Sequence, residues 1–146
     1  MRASQAPRGS ATGRRVPLEE RKPMPHIVVE YSDTLTEAFD RPGFGAALHP
    51  VVAKTVDTAV AGCKTRFRRI EEAHLADGAP DLAMIHIEVS ILSGRDAGTK
   101  RELSAAVLEV ARAHVSPEPG LTVQTTVDIR DLDRDCYEKH EAVHPA

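Results

Sequence analysis

The chain has 146 residues, of which 41% are hydrophobic and 3% aromatic, with two cysteines and a formal net charge of −3. No stretch approaches the ~18 apolar residues of a membrane span, and Cys63 and Cys136 are too few and too far apart for a metal site or disulfide framework, which fits a reducing, cytoplasmic compartment. The charge is unevenly spread: residues 1–24 carry six Lys/Arg against two Glu, a net +4, whereas residues 25–146 carry 13 Lys/Arg against 20 Asp/Glu, a net −7.

Residues 1–24 hold Pro7, Pro17 and Pro23 among small and basic residues and show no hydrophobic period, so this stretch reads as a disordered extension. Arg14-Arg15 matches the start of a twin-arginine export signal, but no apolar run follows it. A tag, a leader or a misassigned start accounts for the segment, and it is set aside from the fold. The remaining domain, 25–146, is acidic, which excludes a nucleic-acid binder, since phosphate contacts need a basic surface.

The domain opens Pro25-His26-Ile27-Val28-Val29-Glu30, a β-branched run that predicts a first strand over about Ile27–Tyr31. After the Pro42-Gly43 break, Leu48, Val51, Val52, Thr55, Val56 and Ala59 recur at helical spacing. Pro50 within that pattern predicts a start or kink close to it, and Gly62 is the expected terminator. A second strand from Cys63 to about Ile70 places Cys63, Thr65 and Phe67 on one face and Lys64, Arg66 and Arg68 on the other.

A turn at Asp77-Gly78-Ala79-Pro80 divides the domain into halves. The third strand, about Leu82–Leu92, alternates Ile85, Ile87, Val89 and Ile91 against Met84, His86, Glu88 and Ser90. A second helix follows, with Thr99 to Glu102 fitting a capping box and Leu103, Ala106, Val107, Val110, Ala111 and His114 as its stripe. The last strand alternates from Leu121 to Ile129, and the charged stretch from Arg130 reads as loop or short helix.

Two strand-helix-strand units imply parallel pairs and an α/β (α+β) domain: a four-stranded sheet with both helices on one face. The opposite face, with His26, Glu30, Met84, His86 and Glu88, has no cover within the chain and is where subunits should pack. With only five aromatic residues in the domain, the core rests on Val, Ile, Leu and Ala, which also favours self-association.

Pro25 carries two possible chemistries. Within a chain its nitrogen is a tertiary amide without basicity, and the residue is merely a strand-starting proline. As a free terminus after removal of Met24 it is a secondary amine, and an α-amino group titrates near ~8, low enough for nearby cations or apolar walls to make it a general base. Lys64, Arg66 and Arg68 read either as a solvated edge-strand face or as anion ligands. Arg95 reads as a loop arginine near a helix start. His26 and His86 read as structural. His140 and His144 would pair on a metal only in a helical tail, and no metal is expected.

The blocks P-H-I-V-V-E-Y-S-D, A-D-G-A-P-D-L-A-M-I-H-I-E-V and the Gly94-Arg95 pair, in order and spacing, resemble the 5-carboxymethyl-2-hydroxymuconate isomerases of the tautomerase superfamily over about Pro25 to Leu132. The resemblance implies a homotrimer of β-α-β-β-α-β subunits, an amino-terminal proline (Pro25) as catalytic base, and no metal or organic cofactor. It implies isomerisation of a small carboxylated dienol in bacterial breakdown of 4-hydroxyphenylacetate. It assigns substrate binding to Arg95 and a second cationic position to Lys64, where the family's usual residue is arginine. An ammonium cannot reproduce the planar guanidinium fork, and Arg66, on the same strand face, takes over part of that role. The lysine keeps open keto-enol exchange of another 2-oxo acid, such as a phenylpyruvate type. A blocked Pro25 would leave a non-catalytic trimeric module.

Overall fold

A computed structural model describes residues 25–146; the expected disordered extension, 1–24, lies outside the described residues. The elements are β1 (His26–Ser32), α1 (Arg41–Val56), β2 (Lys64–Ile70), β3 (Leu82–Leu92), α2 (Ala97–Ala113) and β4 (Thr122–Leu132). The sheet order is β2-β1-β3-β4, with β1 parallel to β2, β3 parallel to β4, and β1 antiparallel to β3. This is the expected four-stranded sheet of two strand-helix-strand units, and the antiparallel seam between halves makes it mixed.

The alternation read in the sequence sets the two faces. Ile27 and Val29 on β1 and Ile85, Ile87 and Val89 on β3 are fully buried, and they face Leu48 and Val52 of α1 and Leu103 and Val107 of α2, also fully buried. Phe44, Phe39 and Phe67 meet edge to face at one end of this layer, a geometry that adds to area burial. On the other face the register aligns Lys64, His26 and Ser90, then Arg66, Val28 and Glu88, then Arg68, Glu30 and His86. These residues are half-buried or exposed, and among the described residues no helix or strand covers them.

Four local expectations need correction. α1 begins at Arg41, two turns before Pro50, because Asp40 caps it (its side chain accepts from the Gly43 N–H at 3.0 Å) and Pro42 occupies the first turn, where no N–H is needed. Pro50 sits inside the helix rather than at its start. α1 ends at Val56, not Gly62: Asp57 takes the left-handed conformation (φ 55°) and its N–H reaches Ala53 O, while Gly62 belongs to a separate 3-10 turn, Val60–Gly62. α2 starts at Ala97, capped by Asp96, whose Oδ1 accepts from Thr99 N–H at 2.8 Å. Thr99 therefore lies inside the helix and is not the cap. β4 runs on through Arg130 to Leu132 before a 3-10 turn, Arg134–Cys136.

Candidate functional site

The topology delivers the ends of five elements to one end of the sheet. β1 starts there, at His26, directly after Pro25. α1 returns there and ends at Val56, and β2 starts there at Lys64. β3 and β4 both finish there, at Leu92 and Leu132. Pro25 is buried, and its carbonyl accepts the Lys64 N–H at 3.1 Å. That bond continues the β1–β2 ladder one step beyond its register and holds the two residues side by side.

Lys64 is exposed, and its Nζ donates to Gly62 O at 3.3 Å. Arg66 is also exposed and uses Nη1 on His26 Nδ1 at 3.3 Å. A guanidinium only donates, so Nδ1 is the acceptor and the ring carries its proton on Nε2. That nitrogen donates to the Tyr137 hydroxyl at 2.9 Å. Burial, together with the Arg66 and Lys64 charges, lowers the His26 pKa, so the imidazole is held neutral. Arg66 is thus committed in part to orienting the residue that follows Pro25. Arg68 lies two positions further from Pro25, in register with Glu30.

Arg95 is half-buried in the turn after β3. Its Nη2 donates to Val56 O at 2.6 Å and its Nη1 to Leu92 O at 3.2 Å, tying the end of α1 to the end of β3. A cation at a helix C-terminus is favourable because the last carbonyls lack intrahelical partners. Burial and the nearby Arg134 charge lower the Arg95 pKa, against an opposing contribution from Asp57. Gly94, at φ 121°, permits the turn that brings Arg95 into place.

The structure therefore brings Pro25, Lys64 and Arg95 to one sheet end and sets Arg66 just behind, on the open face. Sequence reasoning missed Arg134 and Tyr137. Both lie in the charged stretch after β4, where nothing in the hydrophobic pattern marks them. No group of three or more His, Cys, Asp or Glu suited to a metal is found among the described residues, and His140 and His144 lie in an exposed, non-helical tail. A cavity of about 200 Å³ opens at the opposite end of the sheet, lined by Ser32, Ile70, His74 and Leu82 among others, and none of the predicted site residues borders it.

Comparison with known proteins places this geometry in context. A family model described as 5-carboxymethyl-2-hydroxymuconate isomerase matches residues 25–146. A 5-carboxymethyl-2-hydroxymuconate Delta-isomerase of Escherichia coli is 32% identical over 91 residues, covering 62% of this chain and 72% of the relative. Among solved structures, a 5-carboxymethyl-2-hydroxymuconate isomerase from Deinococcus radiodurans R1 superposes with a TM-score of 0.73 at 27% identity, covering 83% of this chain and 92% of its own. A fused 4-OT symmetric trimer shares the fold at a TM-score of 0.62 and 19% identity, covering 81% and 94%.

Proposed function

The chain belongs to the 5-carboxymethyl-2-hydroxymuconate isomerase family and is an isomerase with the tautomerase fold; from that premise we propose that it moves a proton within a carboxylated dienol such as 5-carboxymethyl-2-hydroxymuconate, in aromatic-compound degradation, with the nitrogen of a free amino-terminal Pro25 as the base. The observation that carries this reading is the convergence of Pro25, Lys64 and Arg95 on one end of the sheet, in a chain that the family model matches from residue 25 onward.

The chemistry needs one base that returns the proton it takes. The Pro25 lone pair accepts the proton of the dienol hydroxyl, and the oxygen's electrons become the carbonyl. The π electrons shift along the conjugated chain to the far carbon, and the protonated amine delivers its proton there. Burial and the surrounding guanidinium and ammonium charges favour the neutral amine, so the base is ready at physiological pH. Arg95 holds one carboxylate, and Lys64 holds a second while steadying the enolate charge. No metal or organic cofactor enters any step. Partial commitment of Arg66 to His26 leaves Lys64 as the nearer substitute for the family's arginine. A point charge without a fork favours a second reading, keto-enol exchange of a different 2-oxo acid.

The working molecule of this proposal is the 25–146 domain, in the cytoplasm, as a homotrimer closed through the open sheet face. Loss of dienol absorbance tests it, in a chain beginning at Pro25 and in one retaining residues 1–24. Turnover by the first alone is expected. Equal turnover by both would rule out the proline base and leave the tautomerase fold with another chemistry or none.

A further inference from the structure

The chain leaves β4 at Leu132, beside Leu92 of β3, and within five residues its Tyr137 ring lies against His26, with centroids 6.0 Å apart. The segment between these points therefore crosses from the β3–β4 side of the sheet to β1, passing the end at which Pro25 sits. A 3-10 turn, capped by Asp133 through its Oδ1 on Asp135 N–H at 3.0 Å, fixes that path. It presents Arg134 beside the Ser93-Gly94-Arg95 turn.

Arg134 is anchored there three times: its N–H donates to Ser93 Oγ at 3.3 Å, and Nε and Nη2 donate to Ser93 O at 3.2 and 2.8 Å. A Cβ on Gly94 would stand 3.5 Å from its Nη2. Two guanidiniums thus flank one turn. Among the described residues neither forms an ion pair; both are satisfied by neutral backbone carbonyls. Each uses two of its five donors there. Burial, and after it the Arg134 charge, lowers the Arg95 pKa, with Asp57 opposing. A like-charged pair without a carboxylate partner, in an otherwise acidic domain, is a site that an anion with more than one carboxylate would complete.

We infer that Arg134 is a substrate-binding residue of this site, taking with its free Nη1 edge a carboxylate that Arg95 and Lys64 do not reach. The inference rests on the functional reading above, whose substrate carries three carboxylates; Lys64, Arg95 and Arg134 supply one cation for each. The C-terminal segment is then a wall of the site.

Arg134→Gln keeps a donor for Ser93 O without the charge, and Arg134→Lys keeps the charge. Two measurements on the chain beginning at Pro25 decide the matter. In calorimetry with propane-1,2,3-tricarboxylate and glutarate as probes, Arg134→Gln should weaken tricarboxylate binding at least tenfold and glutarate binding less than twofold, with Arg134→Lys recovering most of the loss. In turnover, Arg134→Gln should raise KM for the tricarboxylate dienol by a similar factor at unchanged kcat, and should leave 2-hydroxymuconate, with two carboxylates, nearly untouched. Equal losses for both probes, accompanied by a lower melting temperature, would make Arg134 a staple of the Ser93 turn and overturn the inference, as would unaltered tricarboxylate binding. Wild-type protein that turns over neither dienol would defeat the functional reading, while the calorimetric comparison would still judge Arg134.

Discussion

Replacing Arg95 by Met removes a guanidinium with a structural and a chemical task, and the two can be measured apart. Its bonds to Val56 O at 2.6 Å and Leu92 O at 3.2 Å join α1 to β3. A hydrogen bond from a charged donor contributes ~1.5–3 kcal/mol when well buried. Arg95 is half-buried, so screening reduces each to about 1 kcal/mol. The expected loss is about 2 kcal/mol, equivalent to a fall in Tm of roughly 8 °C for a domain of this size. Loss of a bidentate carboxylate contact worth about 2–3 kcal/mol should separately raise KM by roughly 30- to 150-fold. Differential scanning calorimetry reads the first effect and steady-state turnover of a carboxylated dienol the second. Arg95→Lys should recover part of KM through its charge but little of Tm, because one ammonium cannot span both carbonyls. An unchanged Tm in Arg95→Met would refute the tie between helix and strand; an unchanged KM would refute the contact with substrate.

Lys64→Arg restores the planar fork beside Pro25 and should lower KM for a tricarboxylate dienol several-fold; an unmoved KM would place Lys64 outside the site. Gly94→Ala places a side chain on a backbone at φ 121°, where its Cβ meets the Arg134 guanidinium only at ordinary contact distance; the backbone strain should cost roughly 1–3 kcal/mol by chemical denaturation and raise KM through misplacement of Arg95. The folded-state pKa of His26 is lowered by burial and by Arg66 and Lys64, so the folded state binds fewer protons there than the unfolded one. Its contribution to stability is present above the unfolded imidazole value of ~6.5 and is lost as pH falls through the folded value. Urea titrations between pH 5 and 8 should show stability falling on the acid side, with a shallower slope in His26→Gln. Half-buried His49, whose pKa is lowered by burial in the same direction, accounts for part of the slope that remains.

Much of the fold was legible because strand alternation is a strong signal when one face is covered. Ile85, Ile87, Val89 and Ile91 alternate with polar residues along β3, and each lies on the helix side as the period requires. Helix ends were less legible, since they turn on single side chains. Asp40 and Asp96 cap through one hydrogen bond each, and Asp57 ends α1 in a conformation more usual for glycine. Of the site, the grouping of Pro25, Lys64 and Arg95 followed once the strand order was known. The Arg66–His26–Tyr137 chain did not, because its members are 40 and 111 residues apart in sequence and none falls on a hydrophobic period. Arg134 was hidden for a related reason. It lies within Arg130-Asp131-Leu132-Asp133-Arg134-Asp135, a charge run that reads as solvated surface, and only the pairing of Leu132 with Leu92 carries it to the Ser93 turn.

The proposed mechanism requires the nitrogen of Pro25 to be an amine that titrates. Nitrogen-15 NMR of protein labelled at proline, followed across pH 4–10, observes that atom directly. A secondary-amine resonance titrating below the ordinary α-amino value of ~8, at the same pH as the acid limb of kcat/KM, is the predicted result. A Pro25 signal fixed at the shift of a tertiary amide throughout, in protein that isomerises the dienol, would contradict it.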